Sequence, residues 1–230
     1  MGIGHVAVAL GASRAAPRLN VGWLVFAALL SDFLLGIFAS LGLEHATVPD
    51  GYASKHYLLF TFPYSHGLAA LVFWAVIFGF LISRAFDLEE NRIWVVVSLI
   101  VLSHFLLDGL VHVAGLPLLG EGSPKFGLGL WRMMPIELAL ETSMALAGIF
   151  LYWKVSARGT SVLGRYGMAI FVVLITVVTW TQLAITTPPK VEQLNLSWIV
   201  APLVLSAIAY GFDYERVRGL KSGRAGVPNP

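Results

Sequence analysis

Apolar runs long enough to cross a membrane alternate with short polar or charged segments along this chain. A helix rising 1.5 Å per residue needs about 20 apolar residues to cross a hydrocarbon core of about 30 Å. Six runs meet that length: Val21–Leu43, His66–Ser83, Ile93–Gly115, Arg132–Trp153, Tyr166–Thr186 and Leu196–Phe212, the last with Pro202 as an expected kink. Met1–Ala16 is apolar but too short to span, and is predicted to be a half-helix or an interfacial segment. Between the runs, Glu44–Tyr64 is a polar loop, and Leu116–Trp131 is rich in glycine and proline and expected to be an ordered loop or re-entrant turn. The pattern predicts an all-α fold, a polytopic transmembrane helical bundle of one membrane domain without internal repeats.

Composition agrees with the pattern. Hydrophobic residues make up 57% of the 230 residues and charged residues 12%, about half the charge of a soluble domain. The chain has no cysteine, which excludes disulfides and thiolate ligands. One basic residue in the first fifteen and no cleavage pattern predict that no signal peptide is removed. Lysine and arginine sort by loop. Eleven fall on one side if the N-terminus is cytoplasmic: Arg14 and Arg18, Arg84 and Arg92, Lys154, Arg158 and Arg165, then Arg216, Arg218, Lys221 and Arg224. Four fall on the other: Lys55, Lys125, Arg132 and Lys190. That asymmetry predicts both termini in the cytoplasm. The basic residues stand singly at helix ends, so no nucleic-acid surface is expected, and membrane lipids are the expected surroundings.

Against this background the polar residues inside the runs stand out. His104, Asp108 and His112 recur every four residues, which places them on one stripe of a helix. Counting from the nearest basic anchors, His5, Asp32, His104 and Glu141 lie about 18–20 Å deep, and Asp108, Glu137 and His66 about 24–27 Å. Five helical segments thus deliver ionisable side chains to one layer in the outer half of the membrane, where such groups are costly and face a protein interior or a watered cavity. Imidazoles with carboxylates and no thiolate are the ligand set of a divalent ion, zinc foremost. For Glu137 and Glu141 the alternative is an ion pair with Arg132. His45 and His56 read as plain loop histidines.

The order of these residues resembles a known family. His5 after an N-terminal glycine, then Asp32, then Ser65-His66, then Ser103-His104-x3-Asp108 followed by AGLPLL (Ala114–Leu119), is similar to the LexA-regulated inner-membrane metal-dependent hydrolases. The likeness covers roughly residues 3 to 131 and is strongest from Leu102 to Leu119. It implies that His5, Asp32, His66, His104 and Asp108 form the polar core. The chain departs from the family pattern at Ser31–Leu35, where Pro-Asp-x-Asp-His is usual, and at Thr61–Pro63, where His-Arg-Gly is usual.

Together these readings predict a membrane-embedded metal-dependent hydrolase. His5, His66, His104 and Asp108 would be metal ligands, and Asp32 and Glu141 general base or support for a ligand, acting on a lipid ester or phosphoester. The alternative is a non-catalytic structural subunit of a larger membrane complex or homo-oligomer, its aromatic-rich helices packed against partners. A proton path through the layer is disfavoured, because the inner half of every run is apolar.

Overall fold

The computed structural model describes residues 2–86, 91–155 and 161–221, and within them the chain is a bundle of helices with two small β-ribbons. In chain order the elements are α1 (Gly2–Ala12), α2 (Val21–Ala28), α3 (Leu30–Ser40), β1 (His45–Thr47), the one-turn α4 (Tyr52–Lys55), β2 (Leu59–Thr61), α5 (Leu68–Ala85), α6 (Asn91–Val111), β3 (Leu116–Pro117), β4 (Lys125–Phe126), α7 (Met134–Val155), α8 (Val162–Trp180) and α9 (Val191–Lys221). Short 3-10 turns at Leu130–Met133 and Thr181–Ala184 lead into α7 and out of α8. Among the described residues, α5 to α9 are long and apolar enough to cross a membrane, and α2 with α3 makes a sixth, broken span. The expected loop residues 87–90, Arg158 and Arg224 lie outside the described residues.

Two expectations change. The run Val21–Leu43 is not one helix: α2 and α3 meet at Leu29 with a bend of 51°. No proline or glycine marks the break. It is held by tertiary contact, the Ala28 carbonyl accepting a hydrogen bond of 2.8 Å from His104 Nδ1. Irregular backbone at membrane depth survives only where protein satisfies it. The second change concerns the length of α9, which contains Pro202 and extends beyond the expected Leu196–Phe212 at both ends.

α1 is apolar on all sides, which suits a helix wrapped by others. Ile3, Val6, Ala9 and Leu10 are fully buried, and the helix packs against α7, α2 and α6. Its closest approach is to Gly148 of α7, where a Cβ would stand 2.7 Å from the Ala7 carbonyl oxygen. Small residues let backbones approach in this way where lipid supplies no hydrophobic drive for helix association. The start of the chain is therefore a buried core helix, not an interfacial one.

The loop between α3 and α5 folds back as a ribbon, β1 pairing antiparallel with β2 in the register His45↔Thr61, Ala46↔Phe60 and Thr47↔Leu59. A second ribbon pairs Leu116 with Phe126 and Pro117 with Lys125. After it, the N–H groups of Leu128 and Gly129 donate to the carbonyls of Gly109 and His112, closing the end of α6. Gly129, at φ +76°, turns the chain so that Trp131 reaches His112, ring centroids 4.1 Å apart.

At the opposite end of α9 a buried ion pair locks the bundle. Arg216 donates Nε to Asp213 Oδ1 at 2.6 Å and Nη2 to Oδ2 at 2.7 Å, and its remaining N–H groups go to the carbonyls of Pro17 and Leu19. Tyr152 of α7 donates to Asp213 Oδ1, and the Val21 amide, at the start of α2, donates to Oδ2. Removing one partner strands the other charge in a dry interior, a loss of about 3–5 kcal/mol. Asp213→Ala should therefore lower the unfolding temperature of the detergent-solubilised protein sharply, whereas substitution of the exposed Tyr214 should leave it nearly unchanged.

Candidate metal centre

The stripe on α6 meets residues from three other places. Asp108, 2% exposed, lies at the middle of them. Its Oδ2 stands 3.3 Å from His104 Nε2, 3.2 Å from His112 Nε2 and 3.6 Å from His66 Nε2, and its Oδ1 stands 3.1 Å from His5 Nε2 of α1. His66 precedes α5, and its Nε2 lies 3.1 Å from His104 Nε2 and 3.7 Å from Asp32 Oδ1. The His5 and His104 rings stack in parallel at 3.8 Å. Asp32 sits in the first turn of α3, just past the break, where the positive end of the helix dipole favours a carboxylate.

Two sets of donor atoms are close enough to share an ion: His5, His104 and Asp108, and Asp32, His66 and His104. The fit can be judged from their spacing. Tetrahedral zinc with ligand bonds of about 2.0–2.2 Å keeps its donor atoms roughly 3.3–3.6 Å apart. The separations among His66, His104 and Asp108, 3.1 to 3.6 Å, lie close to that scale, and Asp32 stands 3.7 Å from His66. The tautomer of His104 fits as well. A carbonyl only accepts, so His104 Nδ1 bears a proton towards Ala28, and Nε2 is the ring atom turned towards His66 and the carboxylates. This is the arrangement of a ligand histidine fixed by an acceptor behind it.

A cavity of about 300 Å³ opens beside this cluster. Asp32, His66, Asp108 and His112 form its polar wall, and Leu29, Leu35, Ile175 of α8 and Trp198, Ala201, Pro202 and Leu205 of α9 form the apolar one. Phe60 and Phe62 of the ribbon and Trp131 roof it, with Phe62 4.6 Å from the His66 ring and Phe60 5.7 Å from Trp198. Asp32, with 30% of its side chain accessible, is the carboxylate that faces the open space.

All six predicted site residues are buried or partly buried in this region; Asp32, His66 and Asp108 line the cavity, His5 and His104 stand behind them, and Glu141 is turned to the start of α1. Its two oxygens accept from the backbone N–H groups of Gly2 and Ile3, at 3.0 and 2.9 Å, so it caps α1 and thereby sets the position of His5. Glu137, one turn earlier, is 1% exposed, and among the described residues its Oε2 has no hydrogen-bond partner. Arg132 is exposed, and among the described residues no ion pair joins it to either glutamate. His112, placed higher by its count from Arg92, comes down to Asp108. His56 Nδ1 donates to the Ile185 carbonyl at 3.0 Å, far along the chain, in keeping with a loop histidine.

One residue escaped the sequence reading. Glu44, in the loop after α3, is 1% exposed. It accepts from the Tyr64 and Ser65 amides at 2.7 and 2.9 Å and from Ser65 Oγ at 2.6 Å, and that hydroxyl lies 2.8 Å from His66 Nδ1. Burial pushes its carboxyl above the ordinary value, and the bonds from Ser65 and Tyr64 oppose the rise. Nothing in the local sequence separates Glu44 from any other loop glutamate.

No family model, curated protein or solved structure matches this chain. The centre must be judged on its own geometry. If it is a metal site, His104→Ala should reduce bound zinc at least tenfold, and His45→Ala should not change it, both measured by elemental analysis of detergent-purified protein.

Proposed function

We propose that this integral membrane protein is a metal-dependent hydrolase of the bacterial inner membrane, both termini cytoplasmic, with its site in the outer half of the bilayer. The observation that carries the reading is the convergence of His66 Nε2, His104 Nε2 and Asp108 Oδ2 at 3.1 to 3.6 Å, with Asp32 3.7 Å from His66, beside a cavity with one polar and one apolar wall. His66, His104 and Asp108 hold the ion, and His5 meets Asp108 from the α1 side. A divalent cation in such a set supplies Lewis acidity and makes water a competent nucleophile near neutral pH.

The remaining roles belong to the chain itself. Asp32 is the carboxylate open to the cavity, and it is positioned to orient a water and take its proton. His112 hydrogen-bonds Asp108 and is wedged under Trp131, which holds both in place. The apolar wall formed by α8 and α9 suits the hydrocarbon part of a substrate whose ester or phosphoester bond lies against the polar wall. The resemblance at His5, Asp32, Ser65-His66 and Ser103–Asp108 points to the same chemistry.

The test begins with metal content. Protein purified in detergent should carry a stoichiometric divalent ion that a His104→Ala, Asp108→Ala double variant lacks. Wild-type protein should then hydrolyse a member of a panel of lipid esters and phosphoesters, and Asp32→Asn should lower kcat by about 10²–10⁴-fold. Absence of metal from the wild type, with no hydrolysis of any panel member, would overturn the proposal. The remaining reading would be a non-catalytic subunit, recognised by stable co-purification with a larger complex.

A further inference from the structure

The two histidines whose Nε2 atoms face each other at 3.1 Å are held from behind in different ways. His104 is fixed by a backbone carbonyl, which cannot change its role. His66 is fixed by Ser65, whose hydroxyl can either donate or accept. The direction of that hydroxyl decides whether His66 presents a lone pair or a proton to the site. Glu44 lies directly behind it, 2.6 Å from Ser65 Oγ.

We infer that Glu44 is a positioning residue that sets the tautomer of His66 through Ser65. An ionised carboxylate only accepts, so Ser65 donates its hydroxyl proton to Glu44 Oε2. The Ser65 oxygen then accepts from His66, which places the proton on Nδ1 and leaves the Nε2 lone pair facing His104 and Asp108. Without metal that lone pair accepts the His104 Nε2 hydrogen across 3.1 Å, and a divalent cation would take the place of that hydrogen. The chain Glu44–Ser65–His66 is buried throughout, at 1%, 0% and 3% exposure, so no bulk water competes for these bonds. Glu44 is thus to His66 what the Ala28 carbonyl is to His104. The inference rests on the metal-centre reading for its purpose, though the tautomer exists without metal.

Substitution by glutamine separates this role from a merely structural one. The amide oxygen of glutamine can still take both backbone donors, Tyr64 and Ser65, at Oε1. Its NH₂ group then stands where Oε2 accepted and donates to Ser65. Ser65 must turn its proton to His66 Nδ1, which moves the ring proton to Nε2. Ser65→Ala instead removes the link and leaves His66 without a fixed preference.

The experiment uses the full chain in detergent, labelled with ¹⁵N-histidine and stripped of metal, with ring tautomers read from two-bond ¹⁵N–¹H correlations. His66 should be the Nδ1–H form in wild type, the Nε2–H form in E44Q and a mixture in S65A. Zinc titration should show affinity about 10–100-fold weaker in E44Q than in wild type, with a smaller loss in S65A. An Nε2–H tautomer in wild type, or an unchanged Nδ1–H tautomer in E44Q, overturns the inference. If E44Q does not fold, S65A decides: a mixture supports the relay and an unchanged Nδ1–H form overturns it. Failure of wild type to bind zinc would remove the proposed function, while the tautomer comparison would still decide the relay.

Discussion

The structure is arranged around one buried carboxylate, that of Asp108. A charge moved out of water into a helical bundle costs several kcal/mol unless partners replace its hydration. Four imidazoles stand 3.1–3.6 Å from it: His104 from its own helix, His112 just past that helix's end, His66 from the turn before α5 and His5 from α1. Two of these are short-range, fixed by the four-residue spacing. The other two are not, and they explain why α1 runs through the interior rather than along the membrane surface. His5 cannot reach Asp108 from outside the bundle.

Three other buried carboxylates follow a shared rule. Glu141 takes the first N–H groups of α1, Asp213 takes the amide that opens α2, and Glu44 takes two amides of the turn before α5. Each helix start leaves unpaired donors, and in an apolar surrounding these must be met by protein. Here an acidic side chain from a distant segment meets them. The acids therefore join segments far apart in sequence, 138 residues in the case of Ile3 and Glu141. Two of them also bear on the candidate centre, Glu141 by placing His5 and Glu44 by placing His66. Asp213 acts at the other end, where Arg216 and Tyr152 complete its shell.

The broken span shows how strain-prone backbone is turned to use. The bend at Leu29 brings Asp32 to a helix start and gives His104 its acceptor at Ala28. An unbroken helix would spend that carbonyl on its own ladder. The ribbon β1–β2 then brings Phe60 and Phe62 over the cluster, so a loop that is polar in composition contributes the apolar roof.

By itself the sequence determined the all-α class, five of the six spans as continuous helices, and the stripe of His104 and Asp108 on α6. Those features depend on local periodicity and on length, and a helix fixes both from its own residues. Tertiary structure alone decided the burial of α1, the break at Leu29, the duty of Glu141 as a cap and the place of Glu44 behind His66. In each case the deciding partner is remote in the chain: a carbonyl, an amide or a hydroxyl that carries no pattern of its own. A buried polar group must find its partner somewhere, but periodicity cannot say where, because the partner is chosen by which helices pack together.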